Sequence, residues 1–181
     1  RHEAIAVDEV SGAIYETEDL GDGLVYRFLP NEPGNLAAGG RLQALGLADR
    51  KITDTRNWGA EVAKYPVGRP LEVRWIDLDD PESPQDDLRY RGVKAGAVPF
   101  ARGEGAWAGE DGIYLAMTNG GVKLLGQVFR YVPSPYEGTD REHEKPGTLE
   151  LYIEPNDSDI LCNGDNIAMT PWGDLLICED N

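Results

Sequence analysis

Short apolar runs, alternating or continuous, follow one another along the chain with turn residues between them. Residues 3–8 and 13–18 read as two strands about a turn at Gly12, and Leu24–Leu29 reads as a third, entered through Gly21-Asp22-Gly23. Pro30–Asn35 breaks the pattern, and Gly40–Leu45 supplies a fourth strand. The same order returns at residues 105–109, 112–118, 126–132 and 148–153, where Gln127–Val132 takes the part of Val25–Leu29. A third start covers 165–169 and 173–179. Between the first two sets, Leu71–Ile76 alternates apolar and charged, as a half-exposed strand does. Segments 49–69, 79–87 and 134–147 read as loops. Pro84 before and Gly96 after bracket a short helix over residues 85–95.

The hairpins share more than apolar spacing. Glu3-Ala-Ile-Ala-Val leads through Gly12-Ala-Ile-Tyr to Glu18-Asp19, and Glu104-Gly-Ala-Trp-Ala leads through Gly112-Ile-Tyr to Thr118-Asn119. Asp165-Asn-Ile-Ala-Met leads through Gly173-Asp-Leu-Leu to Glu179-Asp180. From the opening carboxylate to the closing position is 15, 14 and 14 residues. Repeated hairpins of this kind mark β-propeller blades. The predicted fold is therefore all-β, with propeller-like blades of four antiparallel strands in a single domain over residues 1–181. The blades fall at about 1–48, 100–153 and 160–181. The third repeat holds two strands and a closed ring needs at least four blades, so an incomplete ring, part of a longer protein, is expected. Radial stacking would carry the recurring acids to one end of a common axis, where they would form a cation site or a catalytic site.

Charge sharpens this picture. The 181 residues carry 33 acids against 17 bases, a formal net charge of -16. Such a surface repels nucleic-acid phosphates and anionic membranes, and bound cations would relieve its self-repulsion. No apolar run is long enough for a membrane span. Cys162 and Cys178 are the only cysteines. Cys178 lies in an apolar run and reads as a buried small hydrophobe, and no spacing supports a disulfide.

Glu104 lies between two glycines, whose backbone freedom would let a ligand or metal approach closely. Arg102 beside it would hold the carboxylate ionised, or contact an anionic substrate. Asp165-Asn166 and Glu179-Asp180 bracket the third hairpin and would lie side by side if its strands pair. Hard oxygen ligands of this kind suit calcium better than zinc. Turn chemistry alone explains Asp22. His2 and His143 have no partner set, and Trp107 and Trp172 are assigned to blade packing.

Phe100-Ala-Arg-Gly-Glu-Gly-Ala-Trp107, Met117-Thr-Asn-Gly-Gly121, Gly126-Gln-Val-Phe-Arg-Tyr131 and Thr170–Asp180 resemble the PhoX-type alkaline phosphatases. So do His2–Val7, Thr17-Glu-Asp19 and Gly21-Asp-Gly23. The resemblance implies a β-propeller phosphatase that hydrolyses small phosphomonoesters with calcium and iron. It also implies export to the periplasm or the exterior by the twin-arginine route. By motif it makes Glu104, Asp165 and Glu179 acidic metal ligands, with Glu3 resting as much on the repeat. Arg102 becomes the candidate for the substrate phosphate. The family's metal-bridging cysteine belongs to a motif upstream of His2-Glu3-Ala4, and neither Cys162 nor Cys178 takes its place. Two other readings compete: a calcium-dependent propeller lactonase, and a non-catalytic binding module stabilised by calcium.

Overall fold

The computed structural model describes residues 2–61 and 63–180. Period-two alternation produces a strand wherever the sequence reading places one, within a residue or two at the ends. The first meander is β1 (His2–Val7), β2 (Ile14–Glu18), β3 (Val25–Pro30), β4 (Gly40–Leu47) and β5 (Leu71–Asp77). After helix α1 (Leu88–Ala95) comes a second meander, β6 (Gly103–Gly109), β7 (Gly112–Met117), β8 (Gln127–Val132) and β9 (Thr148–Ile153). A separate hairpin, β10 (Gly164–Met169) and β11 (Leu175–Glu179), follows.

Every named pairing is antiparallel, and the nine-stranded order is β1-β2-β3-β4-β5-β9-β8-β7-β6. Strand β5 joins the outer strands of the two meanders, through Leu71↔Leu149 and Glu72↔Thr148. At the other end β1 lies against β6, and β6 against β10, so the first strand of each repeat gathers at a common axis. The arrangement is nearly closed and propeller-like.

Apolar faces explain the stacking. Tyr15, Val25, Leu45 and Val73 of the first meander pack with Leu115, Phe129, Tyr131 and Leu149 of the second. On the outer face of the first meander, Leu24, Tyr26, Leu42 and Ala44 meet Leu88 of α1. Tyr114, Ala116 and Val128 meet Ile167 of the hairpin. Strand β5 packs partly on both faces, Trp75 against the first cluster and Ile76 against the second, and is half-exposed as its alternation predicts, with only Val73 buried.

A polar joint crosses the first interface. Arg27 of β3 is 1 % exposed and reaches Glu137 and Glu142 of the 134–147 segment. Glu137 also accepts hydrogen bonds from the hydroxyls of Tyr15 (2.8 Å) and Tyr131 (2.9 Å) and from the Ser134 N–H (2.8 Å). The Arg27 guanidinium lies over the Trp75 ring. Buried charge without such partners is costly, so this segment is fixed rather than free.

Three sequence expectations need correction. The helix begins at Leu88, not residue 85, because Ser83 and Asp87 close a turn: Ser83 Oγ donates to Asp87 Oδ1, and the Asp87 N–H donates to Ser83 Oγ. Cys178 is exposed, on a strand of the two-stranded sheet β10-β11 rather than in a core. Trp107 and Trp172 are 40 % and 76 % exposed, so neither is buried in blade packing.

Candidate metal centre

Each repeat carries its opening acid on an irregularity of the same kind. Pairing of β1 with β2 runs His2↔Glu18 and then Ile5↔Glu16, so three steps on β1 match two on β2. The same slip separates Gly103↔Met117 from Ala106↔Leu115, and Gly164↔Glu179 from Ile167↔Ile177. The extra residue falls within Glu3-Ala4, Glu104-Gly105 and Asp165-Asn166. A bulge re-aims side chains that regular pleating would send to alternate faces. Three equivalent bulges on three neighbouring strands thus present Glu3, Glu104 and Asp165 at one end of the axis.

The glycines around Glu104 have a structural role that the sequence reading assigned to ligand access. A Cβ on Gly105 would lie 2.7 Å from the Ile167 nitrogen and 2.8 Å from the Asp165 carbonyl oxygen. One on Gly103 would lie 3.0 Å from Thr17 Cβ and 3.1 Å from the Glu18 nitrogen. Gly-Glu-Gly therefore lets β6 touch the backbones of β2 and β10, which draws the acids together. Thr17 stitches the same point: its hydroxyl donates to the Glu104 carbonyl (2.5 Å) and accepts from the Ala4 N–H (3.1 Å).

The carboxylates of Glu3, Asp19 and Glu104 converge, with one oxygen of each within 4.8 Å of the others. A cavity of about 450 Å³ opens over Glu3, Asp19, Leu20 and Asp86. Asp19 follows directly on β2, and its partner residue Glu18 turns the other way. Glu18 Oε2 accepts from the Leu24 N–H and the Tyr26 hydroxyl inside the first meander. Only Asp19 of that acidic pair belongs to the cluster.

Arg102 braces it. Its Nε donates to Asp19 Oδ1 at 2.8 Å, and its Nη2 reaches Asp19 Oδ2 at 3.2 Å and Glu104 Oε1 at 3.3 Å. The residue sits at φ 55°, held by its own N–H on the Leu20 carbonyl and its carbonyl on the Thr118 N–H. Nη1 has no hydrogen-bond partner among the described residues.

Glu104 is 7 % exposed, and its carboxyl is pushed up to about 7. Burial is the largest cause, followed by the negative charges of Asp19 and Asp165, with Arg102 pulling the other way and Glu3 adding to the rise. A carboxyl strained in this way prefers a proton or a cation. Asp165 thus stands near enough to be felt at Glu104. Glu179 does not figure among those charges; it faces its own hairpin, where Oε1 accepts the Cys162 N–H at 2.6 Å. His2 lies against Glu16 at 2.9 Å, and Asp22 pairs with Arg89 at 3.1 Å. His143 is exposed, as expected of a solvated loop.

The sequence reading missed Asp19 as a member of the cluster and Thr17 as its stitch. Asp19 had a signal, being the acid that closes the first repeat. Thr17 had none, because its hydroxyl acts through another repeat's backbone.

Comparison with known protein families finds a match to alkaline phosphatase PhoX over residues 1–181, the whole chain. The chain belongs to the PhoX family. No curated protein and no solved structure matches it. Membership places this PhoX chain among phosphatase-type hydrolases, whose substrates are phosphoesters. Among its described residues no helix is long and apolar enough to cross a membrane.

Proposed function

We propose that this PhoX chain supplies the cation-binding core of a metal-dependent phosphomonoester hydrolase. The convergence of Glu3, Asp19 and Glu104 carries the reading, with Asp165 at its margin. The residues fit a hard cation. All three donors are carboxylate oxygens, no histidine or cysteine enters the cluster among the described residues, and the buried Glu104 is destabilised when ionised without a counter-charge. This donor set favours calcium on chemistry alone. Iron enters only through the resemblance, as do Glu179 as a ligand and export to the periplasm or exterior.

A bound cation supplies charge neutralisation and polarisation of a phosphoryl oxygen. The protein groups supply placement. Asp19 and Glu104 hold the Arg102 guanidinium in plane, which leaves Nη1 to donate to a phosphate oxygen. Glu104, poised near neutrality, can hold or release a proton at Oε1 or Oε2 as charge in the site changes.

A second reading has one observation in its favour. Arg102 is already clamped by two carboxylates, which suits a purely structural brace in a calcium-stabilised, non-catalytic module. Turnover of p-nitrophenyl phosphate by the full-length protein, with metal content measured on the same sample, separates the two. Hydrolysis that falls on E104Q and shows a raised KM in R102K supports the enzyme. Calcium binding without turnover of the ester supports the module, and turnover of a lactone instead would support the lactonase.

A further inference from the structure

At the other end of the strands, away from the carboxylate cluster, a groove of about 540 Å³ separates the second meander from the hairpin. Trp107, Tyr114, Tyr152, Met169 and Trp172 line it, with Glu110 at its rim. Neither Trp107 nor Trp172 makes an aromatic or cation contact among the described residues, and both are exposed. Glu110 apart, the charged side chains at the groove are engaged by neighbours. Asp111 takes the Tyr114 hydroxyl at 2.9 Å and Arg130 at 2.6 Å, while Asp174 takes the Trp172 indole N–H at 2.6 Å. Arg130 is neutralised in turn by Asp111 and Glu150. Glu110 makes no hydrogen bond or ion pair among the described residues.

We infer that this groove binds a small quaternary ammonium cation of the choline type, held by the indole faces of Trp107 and Trp172 and by the Glu110 carboxylate. Ring faces attract a cation through their negative quadrupole, and a charge on the rim adds to that field. The committed hydrogen bonds decide the class of cation. A guanidinium or primary ammonium needs several acceptors to replace its water, and the groove offers one free carboxylate. A trimethylammonium group has no N–H to satisfy and presents an apolar skin to the rings and to the Met169 thioether. The net charge of -16 favours cations over anions at this surface.

Isothermal titration of the full chain with choline tests this, in saturating calcium so that the distant carboxylates are occupied. Saturable binding is expected, with the uncharged isostere 3,3-dimethylbutan-1-ol at least about tenfold weaker. W172L should lose about tenfold in affinity and E110Q a few-fold, each retaining the parent circular-dichroism spectrum because both positions are exposed turns. Equal affinity for choline and its isostere would reduce the groove to an apolar patch and overturn the inference. Preference for an arginine-bearing peptide over choline, or unchanged choline binding in W172L, would overturn it as well.

Discussion

Replacing Glu104 with glutamine should stabilise the metal-free protein while abolishing its response to calcium. The Glu104 carboxyl rises from 4.5 to about 7 on folding, so the folded state holds its proton more tightly than the unfolded chain. A raised acid leaves stability intact below about pH 4.5 and erodes it as pH climbs through 7. That interval corresponds to an upper bound of roughly 3 kcal/mol at alkaline pH. Glutamine keeps the shape and removes the charge, and Arg102 retains its bidentate grip on Asp19. At ~2–4 °C per kcal/mol for a chain of this size, E104Q should melt up to ~10 °C higher than the parent at pH 8 without metal. At pH 4.5 the two should melt together. Calcium should then raise the parent's melting temperature and leave E104Q unmoved, and the parent should release close to one proton per calcium bound at pH 6. Differential scanning fluorimetry across pH, with and without calcium, reads every one of these outcomes. An E104Q protein less stable than the parent at pH 8, in chelator, would refute the view that charge crowding dominates this site.

Three further outcomes follow from particular contacts. G105A must move backbone, since its Cβ would press on Asp165 and Ile167, so we expect a loss of about 1–3 kcal/mol in denaturant melts together with weakened calcium binding. E179Q should leave calcium affinity within a factor of about two by titration calorimetry, because its carboxylate is engaged by the Cys162 N–H rather than the cluster. R27M strands Glu137 and Glu142 in the interface, and urea melts should show a loss of about 3–5 kcal/mol.

Strand order within each repeat was legible because alternation and glycine turns are local properties. The bulges were half legible. The recurring acid announced its place, but the extra residue that aims it is a property of pairing and not of either strand alone. Glu3, Glu104 and Asp165 share one position in the repeat, whereas Glu179 pairs as Glu18 does and accepts the Cys162 N–H. Asp19 reads as the close of the first repeat but not as a ligand, because the repeats close on different residues, and Glu18 beside it is turned inward by Tyr26. Trp107 and Trp172 misled for a related reason. Large aromatic residues usually fill cores, yet Trp107 lies near the end of β6 and Trp172 in the β10–β11 turn, and both are exposed.

The joint around Arg27 has a bearing on how the molecule can move. Sliding one meander past the other would tear the Arg27 guanidinium from two glutamates and strip the Tyr15 hydroxyl of its acceptor, so the joint resists relative motion of the two. Among the described residues no buried ion pair ties the third hairpin to the sheet; it rides on apolar side chains and on the Asn163 hydrogen bonds to Thr118 and Leu125. Asp165 is thus the one carboxylate of the group carried by the hairpin, while Glu3, Asp19 and Glu104 belong to the nine-stranded sheet, so its distance from them is set by how closely β10 seats on β6 at Gly105.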